Sequence, residues 1–547
     1  MIRKIIKIML LMVGGIYYLN AQNYQPYMVS DSHWVMGRHD VKRTGFNPIR
    51  CTSPANVSRS WYHATAGSDG NEVNTIIPPL RVFSSGNALS ATDNNLNLVM
   101  YNAYNGGIIW YHSSPDGADL EHSGCVYAYN NLVFCQWIDE ASDPWSSDKS
   151  KAQLYDANNG NILWTNQDAS SKLHYAPPAV YKIGNEHWIF RGVNGSVGAA
   201  KIMPVSPFYQ AVWSVNLGYI VGAPAILKTD GVNDYVLYPV SNLNNNSLRD
   251  KVVALNISNG TIKWSWDLPP GKRFFINYFN DPYPCRPYKC ANISGYDIDN
   301  DGKDEIFVRY DSFLVMLKEI NNSPTLIWSR KLSSYLYSAI AIGPILPNNK
   351  IGIAVIPFRI MGGGPSYCGN NLVILDATNG NILWTINLPE DYCNSPTIAD
   401  VNADGVYDVI IASKGCSNPS AYSSSNNFSS PVWQSTGCSQ AAPLSSDLAV
   451  GLIDTVMAFS IGDESCYTNV WLCKKAITPV SFNENWGVNY KIIKGGIEFE
   501  GYGNVEIYKV NGSLIGNYEI RSFRKVFLSK GVYIVRINNE NKKVIIN

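Results

Sequence analysis

The chain has no charge of either sign to spare. Lys+Arg and Asp+Glu balance at 43 each in 547 residues, and only 16% of the chain is charged. No field of one sign draws it to nucleic acid or anionic lipid. Beyond the first 22 residues no apolar run is long enough for a transmembrane helix. Histidine is scarce and one-sided: all seven (His33, His39, His63, His112, His122, His174 and His187) precede residue 190, and none stands in HExxH, HxH or another metal-ligand spacing. A GxSxG nucleophile elbow is missing. So are CxxC, which speaks against structural zinc, and CxxCH, which removes covalent haem. The glycine run in "IMGGGPSYCGN" (360–370) lacks the Lys and following helix of a phosphate loop. Long helical patterns are absent too, whereas Tyr (34), Trp (15) and Gly (43) abound, a composition that reads as all-β.

The N-terminal "MIRKIIKIMLLMVGGIYYLNAQ" has the three parts of a secretory signal: basic Arg3, Lys4 and Lys7, an apolar core, and small Ala21 before a cut at Gln22. Residues 1–21 are therefore expected to be removed and the mature chain exported. No Cys lies near the cut for lipid attachment. All 11 cysteines fall in the mature part, so most are expected to pair in an oxidising compartment, with an odd one left over. Cys285 with Cys290 and Cys125 with Cys135 are candidate local bridges; the rest of the connectivity stays open.

Four segments align without gaps: "MYNAYNGGIIW" (100–110), "LYDANNGNILW" (154–164), "ALNISNGTIKW" (254–264) and "ILDATNGNILW" (374–384). In each, Asp or Asn precedes Gly by four residues and Gly precedes Trp by four. An alternating strand, a tight Asn-Gly turn and a returning strand explain the pattern. Looser copies end at Trp213, Trp328 and Trp433, and an earlier strand carries Trp61. The positions Trp61, Trp110, Trp164, Trp213, Trp264, Trp328, Trp384 and Trp433 lie 49 to 64 residues apart, the period of a four-stranded propeller blade. Most intervals also hold a Pro opening a short apolar strand, as in "YAPPAVY" and "GAPAIL". The spacing predicts a β-propeller of seven or eight blades, eight favoured, with each Trp docking one blade on the next. Residues 434–475 would supply strands of the last blade, closed by the strand at Trp61.

The repeat, together with "HWVMGRHDVKRTGFNP" (33–48), resembles the PQQ-like β-propeller family, the quinoprotein-type propellers, over roughly residues 30–475. That fold serves both quinone dehydrogenases and non-catalytic scaffolds. A quinoprotein dehydrogenase of the related family would carry adjacent cysteines at its cofactor; no two cysteines here are adjacent, which argues against PQQ.

Carboxylates concentrate in "GYDIDNDGKDEIF" (295–307). Asp297, Asp299 and Asp301 take positions 1, 3 and 5 of a loop, Gly302 the sixth and Glu305 the ninth, with the carbonyl of Lys303 between. Alternate carboxylates converging around a Gly turn suit a hard cation. Val308 replaces the bidentate Glu of an EF-hand, and a strand follows. "DVNADGVYD" repeats the pattern with Asp400, Asn402, Asp404, Gly405 and Asp408, placing the Val406 carbonyl like that of Lys303. "ILKTDGVND" (226–234) keeps Asp230, Gly231 and Asp234 but has Ile226 and Lys228 at ligand positions, so no binding is expected there. The loops resemble the calcium loops of FG-GAP/VCBS-type repeats, which implies two Ca²⁺ sites. Repetition in different blades fits a structural fitting better than a unique catalytic centre.

From about 478 the Trp repeat stops. "GNVEIYKVNGSLIGNYEI" (503–520), "FLSKGVYIVRIN" (527–538) and "NKKVIIN" describe a small β-sandwich. Through Tyr508, Asn511, Gly512, Leu528, Gly531, Tyr533 and Lys543 this stretch resembles the type A C-terminal sorting domain of the type IX secretion system. The resemblance implies the secretion machinery as partner, and a cargo on the cell surface or in the medium. The expected organisation is thus signal peptide 1–21, an N-terminal segment 22–56, propeller 57–475 and sorting domain 476–547. The function expected is non-enzymatic binding or adhesion to a glycan or protein. The rivals are an extracellular enzyme, either a quinoprotein oxidoreductase or a polysaccharide-active propeller, and a self-assembling surface subunit.

Overall fold

The computed structural model describes residues 40 and 42–51, most strand-forming stretches between 57 and 473, and most of 488–546. The signal segment, the Cys285 and Cys290 stretch, Asn511, Gly512 and the side chain of Trp61 lie outside the described residues. The chain divides into two compact units, Met1–Lys475 and Ala476–Asn547. Among the described residues the only helical turns are 3-10 turns at Pro347–Asn349 and Ser424–Asn426. No helix among them is long and apolar enough to cross a membrane.

The first unit is a β-propeller. Eight sheets of four or five strands follow one another among its described residues, drawn in turn from 71–112, 120–167, 179–216, 219–267, 293–331, 341–392, 397–434 and 449–473. Each is an antiparallel meander, because strands joined by tight turns pair with their chain neighbours. In the third, Ala179–Ile183, Glu186–Val193, Ser196–Ile202 and Tyr209–Asn216 pair in order. Burial falls from the inside outward. The inner strands Tyr235–Ser241 and Glu305–Tyr310 are buried throughout, whereas the fourth strands Tyr209–Asn216 and Ser323–Lys331 contain no fully buried residue. The former read as continuous apolar runs because adjoining sheets cover both their faces.

Two strands from the N-terminal side complete sheets formed late in the chain. Val57–Ala64 pairs antiparallel with Tyr467–Cys473, with Trp61 opposite Val470. Phe46–Arg50 pairs parallel with Thr397–Asp400. Both cover edges that would otherwise stand open. Residues 42–51, within the segment 22–56 expected to lead into the propeller, bond to its sheets.

In the second unit, Val488–Ile493, Gly496–Lys509, Leu514–Phe527, Gly531–Ile537 and Glu540–Ile546 form one five-stranded sheet. Gly496–Lys509 pairs with Val488–Ile493 through its first half and Gly531–Ile537 through its second, while Leu514–Phe527 runs along its other edge. The first and last strands of this sheet come into contact, and Ile497, Val505, Ile507, Val526, Tyr533 and Val535 form the core they enclose.

Candidate cation loops, docking tryptophans and the central segment

The loop 297–305 joins the innermost strand Ile293–Tyr296 to the second strand Glu305–Tyr310. Asn300 and Gly302 adopt left-handed backbone (φ 59° and 84°), so the chain curls and its amides point inward. The Gly302 amide donates to Asp297 Oδ2 at 3.0 Å, Asp301 to Asp299 Oδ1 at 3.4 Å, Lys303 to Asp301 Oδ1 at 2.9 Å and Ile298 to Glu305 Oε2 at 2.8 Å. The second loop repeats all four bonds in the same positions. Gly405 donates to Asp400 Oδ2 at 3.1 Å, Asp404 to Asn402 Oδ1 at 3.1 Å, Val406 to Asp404 Oδ1 at 2.7 Å and Val401 to Asp408 Oδ2 at 2.9 Å. Ala403 and Gly405 carry the left-handed turns (φ 59° and 88°).

Oxygens of Asp297, Asp299 and Glu305 lie within 4.8 Å of one another. Burial pushes the Glu305 carboxyl up to about 7 against the pull of Lys318, and raises Asp297. Burial likewise pushes Asp408 up to about 7, opposed by its bonds from Val401 and Ser423. Carboxyls held this far from water call for a compensating charge. The donors are all oxygen, four side chains and one carbonyl per loop, a set that fits Ca²⁺. In the first loop Asp297, Asp299, Asp301, Glu305 and the Lys303 carbonyl would hold it; in the second, Asp400, Asn402, Asp404, Asp408 and the Val406 carbonyl.

The fifth acidic residue of the first loop, Asp304, faces away from this set. It is 2% exposed, pairs with Lys42 Nζ at 2.6 Å and accepts the Lys228 amide at 2.8 Å. It therefore latches the loop to the preceding sheet and to the N-terminal segment. The decayed loop is organised differently. Asp230 accepts the amides of Val232 and Asn233, the Tyr235 hydroxyl at 2.7 Å and Lys263 Nζ at 2.9 Å. Burial alone would raise this carboxyl, but those donors hold it well below the usual range. Asp234 accepts the Tyr181 hydroxyl at 2.9 Å.

Three of the repeat tryptophans dock on the next sheet in one way. Trp110 Nε1 donates to the Ala157 carbonyl at 2.8 Å, Trp213 to Ile257 at 3.0 Å and Trp328 to Ala377 at 3.0 Å. Each ring covers the repeat glycine of that next sheet. A Cβ on Gly160, Gly260 or Gly380 would stand 2.8, 2.6 or 2.6 Å from the ring of Trp110, Trp213 or Trp328. The glycine thus serves its own turn, at φ 75°, 72° and 68°, and seats the neighbour's indole. Where the next copy lacks the glycine, the seat changes. Trp164 stacks on Tyr209 at 4.0 Å, Trp264 donates to Glu319 Oε2 at 2.9 Å, and Trp384 packs against Phe428 at 5.1 Å. Trp433 is buried opposite Ala421.

The segment 42–51 crosses the innermost strands of five successive sheets. The carbonyls of Lys42, Thr44 and Gly45 accept the amides of Gly295, Ile342 and Ile398, each at 2.9 Å, and the Cys51 amide donates to Asp400 at 2.7 Å. Arg43, at φ 57° and fully buried, reaches two more sheets: Nε donates to the Pro224 carbonyl and Nη2 to that of Pro178, each at 3.0 Å. These are the prolines that open the apolar inner strands. Phe46 packs edge-on to Tyr407 at 4.9 Å. The segment therefore runs along the inner edges of five of the eight described sheets. Sequence reasoning missed this role; the signal was Arg and Thr in "VKRTGFNP", polar groups able to satisfy carbonyls and amides from several sheets at once.

No protein-family model and no curated protein matches the sequence. Solved structures do match in fold. A europium-containing methanol dehydrogenase superposes with TM-score 0.51 at 12% identity, covering 81% of this chain and 98% of the other. The quinohemoprotein alcohol dehydrogenase from Comamonas testosteroni gives 0.54 at 11% identity, covering 84% and 83%. The Dos1 propeller gives 0.50 at 9% identity, covering 78% and 97%. At such identities the likeness establishes the PQQ-like β-propeller fold and nothing about chemistry.

Proposed function

We propose that this chain is an exported, calcium-stabilised β-propeller of eight blades that works by binding a glycan or protein through its exposed loops, not by catalysis. The observation that carries this reading is the central segment. Ligands of propellers are commonly taken at the central channel, and here Arg43, Thr44 and Phe46 occupy that region with their bonds to five sheets satisfied by the fold. The acidic loops support the same reading, since each carboxylate already serves a backbone amide or a lysine.

Export and sorting belong to the same proposal. The signal-like N-terminus would take the chain to the periplasm, and residues 476–547 would present it to the type IX secretion machinery. An oxidising destination suits Cys51 and Cys135, both disulfide cysteines. Cys125 stands directly opposite Cys135 in register.

The enzyme reading is favoured by one observation, the likeness to two dehydrogenases. The self-assembling subunit is favoured by another: Ile108, Ile162, Ile262, Leu326 and Ile382 stand two residues before five of the repeat Trp and are exposed. Three measurements separate the readings. Incubation of the purified full chain with PQQ and CaCl₂, followed by absorbance and dye reduction with alcohols, is expected to give neither a bound quinone spectrum nor turnover. Saturable binding on a glycan or surface-protein array without turnover is expected instead. A quinone spectrum with dye reduction would overturn the proposal, and filaments in electron micrographs would replace it with the structural subunit.

A further inference from the structure

The two acidic loops share their backbone and differ in what stands beside the carboxylates. In the first, Lys318 reaches in from the next strand of the same sheet. Its Nζ lies 2.6 Å from Asp299 Oδ2, 2.9 Å from Asp301 Oδ2 and 2.6 Å from Glu305 Oε1. A nitrogen at 2.6–2.9 Å from three converging carboxylates takes the place a calcium ion would need, since Ca²⁺ sits about 2.3–2.6 Å from its oxygens. The decayed loop is handled alike: Lys263 Nζ lies 2.9 Å from Asp230 Oδ2 and 2.7 Å from Glu319 Oε1.

No lysine among the described residues is placed in this way beside the second loop. Leu317 pairs with Ile306, which puts Lys318 beside Glu305; Val409 pairs with Tyr422, which puts Ser423 in the same place beside Asp408. Arg50 pairs in register with Asp400, at the first ligand position. Asp408 is fully buried, and its Oδ1, like Asp297 Oδ1 of the first loop, has no hydrogen-bond partner. Asp404 binds only Asn402 and the Val406 amide. A buried carboxylate oxygen left unmatched among further carboxylates is the position a cation would complete.

We infer that the loops divide the work: Lys318 is the resident cation of 297–305, and 400–408 alone takes a divalent cation, Ca²⁺ by its oxygen donors. The inference rests on the calcium reading proposed above. It also makes a lysine-for-metal exchange the way two of the three copies keep the loop fold without an ion.

Titration of EDTA-stripped full-length protein with CaCl₂ by calorimetry tests it. The wild type is expected to take a single equivalent. Asp408→Asn is expected to abolish it. Lys318→Met, with Lys318→Gln as a second variant should the first unfold, is expected to add a second equivalent, its affinity rising by roughly tenfold or more over wild type at that loop. Circular dichroism establishes that each variant is folded. Two equivalents of equal affinity in the wild type, or calcium binding retained in Asp408→Asn, would overturn the division while leaving calcium in place. No heat of binding in the wild type or either Lys318 variant would overturn the calcium reading itself.

Discussion

The ring of Trp110 closes over Gly160 of the following sheet while its Nε1 donates to the carbonyl of Ala157 at 2.8 Å. Gly260 under Trp213 and Gly380 under Trp328 repeat the arrangement, so a local turn residue also fixes the distance between sheets. Gly260→Ala pays twice, for left-handed backbone and for a methyl 2.6 Å from the indole. Gly271 has the same φ of 72° with nothing within 4 Å. Gly271→Ala is expected to cost about 1 kcal/mol, and Gly260→Ala about 1–3 kcal/mol more from overpacking. Urea unfolding followed by tryptophan fluorescence checks the difference.

Arg43 ties the third and fourth sheets to a segment that the fifth, sixth and seventh also bind. Arg43→Met keeps much of the side-chain volume and strips the donors from two buried carbonyls. A loss of about 3 kcal/mol or more is expected, from two charge-assisted bonds. Lys42→Met is expected to cost less, because Asp304 keeps the Lys228 amide. Thermal melts of both variants against wild type give the ranking.

His187 is 3% exposed, and burial, helped by nearby Lys182, pushes its imidazole down to about 4. The lowered pKa means the folded state resists protonation more than the unfolded chain, whose ordinary value is about 6.5. Its contribution is therefore intact above that value and lost as pH falls toward the folded pKa. Between pH ~6.5 and ~5, His187→Gln is expected to lose about 1–2 kcal/mol less stability than wild type. Parallel acid dependence in the two proteins would contradict this.

The proposed calcium ion, binding the folded state alone, would stabilise it by mass action. EDTA is expected to lower the melting temperature, and CaCl₂ at about 100 times its Kd to restore roughly 2.7 kcal/mol. Differential scanning calorimetry reads both, and an unchanged transition would remove calcium from the account.

The repeat was legible because its physics is local. Asp or Asn, Gly and Trp at fixed spacing encode a turn and a docking surface within eleven residues, so the hairpin could be read from 154–164 or 374–384 alone and the propeller from its recurrence. The acidic loops were legible for the same reason. What escaped depends on residues far apart. Lys318 on an amphipathic strand looks like an ordinary solvated lysine until the strand pairs beside Glu305. Asp304 has no place in the ligand pattern of the loop, and its partner Lys42 lies 262 residues away. Phe46–Arg50 carries a Pro and weak alternation, and its pairing with Thr397–Asp400 is parallel and distant, which no local pattern announces.

The central claim is that residues 42–51 are a fixed part of the propeller's middle, leaving the outer loops to carry function. Amide hydrogen exchange of the full chain measures this directly. The amides of Thr44, Phe46 and Cys51 donate within the structure, and they are expected to exchange as slowly as those of the inner strand Glu305–Tyr310, through global opening, with no change on adding PQQ. Exchange of this segment within seconds, or a change in its protection on adding PQQ, would contradict the account.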